Sequence, residues 1–116
     1  MPKNFRQNRS GSAAIDETFT PQTGWEFLSF ELEITTRPST DEDVIVFVVR
    51  SEGATTELIR ETPRDGLIAE RYTLRRSVVQ LENVRFTAGD TMRATFANTD
   101  GKDWNISMIF TEGDIL

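Results

Sequence analysis

The sequence predicts an all-β fold: an antiparallel β-sandwich, jelly-roll-like, with an extended N-terminal arm. Three observations predict it. Apolar and polar residues alternate at a strict period of two in several runs, clusters of Gly, Pro, Asn and Asp separate those runs, and no segment keeps helical spacing over three turns. About seven or eight short strands in 116 residues suit two packed sheets around one core. A chain of this length is too short for a second core.

Composition removes whole classes of chemistry. Hydrophobic residues make up 37% and charged residues 28%, as in ordinary globular domains. The chain contains no cysteine and no histidine, so disulfides, thiolate zinc sites and Ser-His-Asp or Cys-His catalysis are excluded. Two facing carboxylates would still permit glycoside hydrolysis, but so small a domain has little room for the cleft. No enzyme activity, cofactor or metal is expected. No apolar run reaches membrane-spanning length, and MPKNFRQNRSGSAA lacks the apolar centre of a signal peptide. The expectation is a mature protein made in a cytoplasm without processing.

Charge is unevenly placed. Residues 1–13 carry Lys3, Arg6 and Arg9 without an acid, while the whole chain has a net charge of −6. This segment is rich in Asn, Gln and Ser and has one large apolar residue, Phe5, before Ile15. Such a composition buries too little apolar surface to offset its ordering entropy. Residues 1–20 are therefore expected to form a flexible basic arm, and residues 21–116 the sandwich. The arm is either a frayed terminus or a segment that orders on an acidic partner through Lys3, Phe5, Arg6 and Arg9. Nucleic acid is a poorer partner, because three charges lack an aromatic platform and the acidic body repels phosphates.

The strands follow in order from Trp25. WEFLSFELEIT sets Leu28, Phe30, Leu32 and Ile34 on one face and Ser29, Glu31 and Glu33 on the other, the mark of a half-buried strand. TRPSTDED is a polar connection. VIVFVVR is continuously apolar and β-branched, which predicts a central strand with both faces covered. ATTELIRET reads as a shorter, more polar strand, and Asp65-Gly66 as a reversal. AERYTLRR places Tyr72 and Leu74 on one side. SVVQLENVRF contributes Val79, Leu81, Val84 and Phe86 on two short strands or one bulged strand. TMRATFA alternates Met92, Ala94 and Phe96, and DWNISMIFT alternates Trp104, Ile106, Met108 and Phe110. The predicted core includes Phe30, Leu32, Phe47, Leu81, Phe96, Ile106 and Met108.

Between the last two runs lies NTDGKD, with oxygen-bearing side chains at alternate positions. Lys102 occupies a place where a calcium loop needs a ligand, and no bidentate Glu closes the ring. As a turn, each residue has a mechanism: Asn98 and Asp100 bond nearby backbone, and Gly101 takes positive φ. Asp41-Glu42-Asp43 reads as a solvated loop. Asn105-Ile106-Ser107 matches the glycosylation pattern, but nothing in the sequence routes it to that machinery. Trp25 and Trp104 stand in phase with core residues, although a tryptophan beside a loop can also stack on a sugar. Asp100, Lys102 and Trp104 form the candidate contact loop.

GWEFLSFELEIT, RPSTDEDVIVFVV and FTAGDTMRATFANTDGKDWNISMIF together resemble the small β-sandwich virion proteins of tailed bacteriophages, over about residues 22–112. The basic arm and the turn before Tyr72 depart from that pattern. The resemblance implies a head decoration (cement) protein on the capsid surface, binding neighbouring major capsid subunits with the N-terminal arm as tether. It implies no membrane and no direct nucleic-acid contact. The Ala88-Gly89-Asp90 turn feeding an alternating strand also resembles trimeric jelly rolls of the tumour necrosis factor type, which implies a homotrimer. The competing reading is a tail-tip, fibre or receptor/carbohydrate-binding module, against which the lack of clustered aromatics argues.

Overall fold

The computed structural model describes residues 3–36, 38, 41–63, 71–77 and 84–112. Eight strands follow one another: β1 Asn4–Gly11, β2 Ile15–Phe19, β3 Trp25–Ile34, β4 Val44–Val49, β5 Thr55–Glu61, β6 Tyr72–Ser77, β7 Thr91–Phe96 and β8 Trp104–Glu112. They form two four-stranded sheets, β1-β8-β3-β6 and β2-β7-β4-β5, with every described pairing between strands antiparallel.

The order has a simple logic. β1 pairs with β8, β2 with β7, β3 with β6 and β4 with β5, so the second half of the chain runs back along the first. The doubled ribbon folds over itself, and successive pairs fall alternately in the two sheets. β3 then joins β8, and β4 joins β7, to complete each sheet. This is a jelly roll, an all-β antiparallel sandwich.

The alternation places the core between the sheets. Phe27, Phe30, Leu32 and Ile34 of β3 meet Val44, Val46 and Val48 of β4, Met92, Ala94 and Phe96 of β7, and Ile106, Met108 and Phe110 of β8, all buried in one cluster. Of the expected core, Phe30, Leu32, Phe96, Ile106 and Met108 are buried. Leu81, with Val79 and the Asp65-Gly66 reversal, lies outside the described residues. Val84 and Phe86 are buried without belonging to a strand. Their backbone bonds the start of β3, through Phe27 N–H to Val84 O at 2.8 Å and Phe86 N–H to Trp25 O at 2.9 Å.

Three expectations need correction. The segment expected as a flexible arm contains β1 and β2, one in each sheet, and Ile15 and Phe19 are core residues at 2% and 0% exposure. What orders β1 is its backbone ladder with β8, from Asn4 opposite Thr111 to Gly11 opposite Trp104, not its apolar content. The start of β3 reads differently as well, because a bulge between Phe27 and Ser29 turns Phe27 inward and leaves Leu28 half-buried. Lastly, β4 is covered on one face only. Val44, Val46 and Val48 are buried, while Ile45, Phe47 and Val49 are half-buried and lie outside the core cluster, on the outer face. A two-layer sandwich has no third layer to cover that face, so Phe47 is not a core residue.

The two seams where the sheets' edges meet are closed by arginines. At the β5/β6 seam Arg76 makes an ion pair with Glu61. At the β1/β2 seam the Arg9 guanidinium lies 4.9 Å from the centre of the Phe19 ring, where its stem can cover apolar surface while its charge stays wet.

Candidate functional site

The two ends of the sandwich hold polar side chains that are structural. At one end Asn98 is 5% exposed and sits at φ 51°, a left-handed conformation that Asn tolerates. Its Nδ2 donates to Ser12 O at 3.1 Å, Ala13 O at 2.9 Å and Lys102 O at 3.0 Å, and its Oδ1 accepts from Lys102 N–H at 3.0 Å. Trp104 Nε1 also donates to Ala13 O, at 2.8 Å. The NTDGKD stretch is thus a turn that clamps the β1–β2 connection. Thr99 donates its backbone N–H to Glu42 at 3.0 Å, tying the turn to the loop before β4.

At the opposite end Asp90 is the buried hub. Its carboxylate accepts from Thr87 N–H at 2.7 Å, Arg50 Nη1 at 2.8 Å, Ser51 N–H at 3.0 Å and Thr87 Oγ1 at 3.1 Å. The Thr87 backbone donor leads in holding its pKa down to about 2, helped by Arg50, Ser51 and the Thr87 hydroxyl against the opposing effect of burial. Thr87 closes the carboxylate's own turn, while Arg50 and Ser51 bind that turn to the β4–β5 turn. Gly89 completes the turn at φ 88°, and a Cβ there would stand 2.8 Å from Ser51 Cβ.

The sequence-derived candidates divide accordingly. Lys3 is exposed, and its carbonyl accepts from Glu112 N–H at 3.0 Å. Phe5 stacks on Trp25, with centroids 4.1 Å apart and planes at 10°. Arg6 is exposed and donates to Ser107 Oγ at 3.1 Å. Arg9 closes the seam described above. Lys102 and Asp100 are half-buried in the Asn98 turn. Trp104 is 4% exposed with its indole N–H bonded, so its ring is not presented to a ligand. Among the described residues no group of three or more His, Cys, Asp or Glu side chains could hold a metal ion.

Two outer sheet faces remain, and they differ. The β1-β8-β3-β6 face is mostly polar, with Leu28 and Ile109 half-buried on it. A shallow groove of about 540 Å³ runs along Arg6, Asn8, Ser10, Asn105 and Ser107, and a second of about 240 Å³ continues past Glu31, Glu33, Thr73 and Arg75. Ser107 sits between Arg6 and Asn8, accepting from the first and donating to the second at 2.7 Å. The β2-β7-β4-β5 face carries the half-buried strip Ile45, Phe47 and Val49 instead. Thr91, Arg93 and Thr95 line one side of it, and Thr55, Glu57 and Arg60 the other. Arg93 pairs with Asp16 at 2.6 Å, and Arg60 with Glu57 at 2.6 Å and Asp43 at 3.0 Å. The strip was missed as a surface because VIVFVV is apolar throughout. The signal was available in the strand count, since each strand of a two-layer sandwich keeps one face outward.

No protein-family model and no curated protein matches the sequence. Among solved structures, infectious bursal disease virus of the Gx strain overlays with a TM-score of 0.47 at 10% identity, covering 99% of this chain and 33% of that one. The Gt strain gives 0.40 at 10% identity over 95% and 32% of the two chains. The VP2 subviral particle of the same virus gives 0.39 at 9% identity over 97% and 33%. This chain spans about a third of the length of those chains. Likenesses of this size carry no argument about function.

Proposed function

We propose that the chain is a structural subunit of a virus particle, and specifically a capsid decoration (cement) protein of a tailed bacteriophage. On this reading it is made in the host cytoplasm, sits on the outside of the head and bridges neighbouring major capsid subunits. It is not an enzyme; it acts through its surfaces. The observation that carries the reading is the outer face of β2-β7-β4-β5, where an apolar strip bordered by threonines lies on an otherwise acidic molecule. Adjacent apolar side chains left on an outer face mark a contact surface. The resemblance of the 22–112 frame to phage virion proteins supplies the class of assembly.

The bridging role passes from an N-terminal tether to the sheet faces, since β1 and β2 place Asn4–Gly11 and Ile15–Phe19 in the two sheets. A closed trimer requires two different patches that fit each other, whereas a single strip matches itself under a twofold axis. The test is binding to undecorated heads of the virus that encodes the chain. Saturable binding of the folded chain, with the strand circular dichroism intact, supports the proposal. Absence of the chain from purified particles by mass spectrometry contradicts it.

A second reading is favoured by the polar groove on the other sheet, whose amides and hydroxyls, beside Arg6 and Arg9, suit a hydroxylated ligand such as a glycan on a tail tip or fibre. Glycan binding that is abolished by Asn8→Ala and Asn105→Ala, with no head binding, would select it.

A further inference from the structure

We infer that the Ile45-Phe47-Val49 strip is covered by a second copy of this chain, in a face-to-face pair whose twofold axis runs along β4. The inference rests on reading the molecule as a contact protein, and not on where the contact takes place.

Register supplies the argument. Phe47 has Arg93 directly beside it on β7 and Glu57 directly beside it on β5, so the three stand in one rank across the sheet. Ile45 stands likewise between Thr95 and Arg60, with Asp16 next beyond Thr95. At the height of Phe47 a guanidinium thus lies to one side and a carboxylate to the other, each also paired within the chain, Arg93 with Asp16 and Glu57 with Arg60. A twofold axis parallel to β4 exchanges left and right but keeps height. Strip then faces strip, Arg93 of each copy faces Glu57 of the other, and Arg60 of each copy comes beside Asp16 of the other. A twofold axis across the strands would keep left and right, setting Arg93 against Arg93 and Glu57 against Glu57. Charge therefore selects one of the two face-to-face arrangements. Two sheets stacked about 10 Å apart at roughly −30° accept such a pairing without backbone change.

The size of the face sets the strength. Four strands about 4.8 Å apart and about 20 Å long present roughly 400 Å² per copy, about 800 Å² in total and below the size of stable specific interfaces. The pair is accordingly weak in dilute solution and favoured where copies are held close together.

Sedimentation equilibrium of the full chain, from the micromolar range to about 1 mM, reads the assembly directly. The expected result is a monomer–dimer equilibrium that Phe47→Asp abolishes while thermal melting and strand circular dichroism persist. Arg93→Glu and Glu57→Arg each place like charges in contact and should weaken the pair by roughly tenfold or more. The double variant Arg93→Glu/Glu57→Arg restores opposite charges and should regain most of that loss. The intrachain pairs of these residues are exposed and contribute little to folding. A chain that stays monomeric throughout, a trimer as the only assembly, or a double variant no better than either single one would overturn the inference. A monomer whose head binding is lost on Phe47→Asp would assign the strip to the shell, overturning this pair while leaving the virion reading in place. A dimer that binds no particle would do the reverse.

Discussion

Asp90 and Arg50 form a salt bridge of 2.8 Å in which the Asp90 side chain is wholly shielded from solvent. It joins the β4–β5 turn to the turn before β7, and Arg50 extends the link by donating to Arg85 O at 2.8 Å. Removing the carboxylate leaves the Arg50 guanidinium without its counter-charge and two backbone N–H groups without their acceptor. Asp90→Ala should therefore cost roughly 3 kcal/mol in equilibrium denaturation. A loss within experimental error would mean that water replaces the carboxylate.

The same group fixes a pH dependence. Its pKa falls from 3.8 to about 2 on folding, so its contribution is complete above the unfolded value and is lost as pH falls through the folded one. The stability difference between the wild type and Asp90→Asn should be constant near neutrality and should shrink between pH 3.8 and about 2. Thermal melts of both proteins across that window provide the measurement. A difference that grows on acidification would contradict the assignment.

Asn98 gives a third test, because its side chain satisfies partners from two loops while its backbone is left-handed. Asn98→Ala loses the four bonds and keeps the strained φ, at roughly 2–4 kcal/mol, whereas Asn98→Gly relieves the backbone part and should be the milder of the two. Calcium should leave the melting temperature of the wild type unchanged.

The inward and outward faces of the strands predict a contrast between two phenylalanines. Phe96, at 2% exposure, should cost roughly 3–5 kcal/mol on truncation to Ala. Phe47, on the outer face, should cost about 1 kcal/mol or less in the monomer. Equal losses would place both in the core.

Much of the sandwich was legible because alternation is a local property: β3, β7 and β8 carry their burial pattern in the sequence. The rest depended on partners far along the chain. β1 presents Phe5, Gln7 and Arg9 inward at a sheet edge, where a ring stack on Trp25 and an arginine over Phe19 suffice. Its composition therefore resembles that of a disordered arm. In β4 every residue is apolar, so period two could not say which set faces out. The bulges at Phe27/Ser29 and at Val46/Phe47 each shift the pairing by one position, and neither carries a glycine or proline to announce it. NTDGKD was readable as a turn, but the reach of Asn98 to Ser12 and Ala13 is a tertiary contact that no local pattern encodes.

Because β1 and β2 belong to the two sheets, deleting residues 1–20 removes Ile15 and Phe19 from the core and strips β7 and β8 of one neighbour each. The truncated chain should lose cooperative unfolding. Retention of a sharp thermal transition would return residues 1–20 to the role of an arm.

The claim that this molecule works by seating on a viral shell is tested most directly by cryo-electron microscopy of intact particles from the virus that encodes it. Density for an eight-stranded sandwich is expected on the outer surface of the head, bridging capsid subunits. Density confined to the tail tip or fibres, or none on the particle, would contradict it.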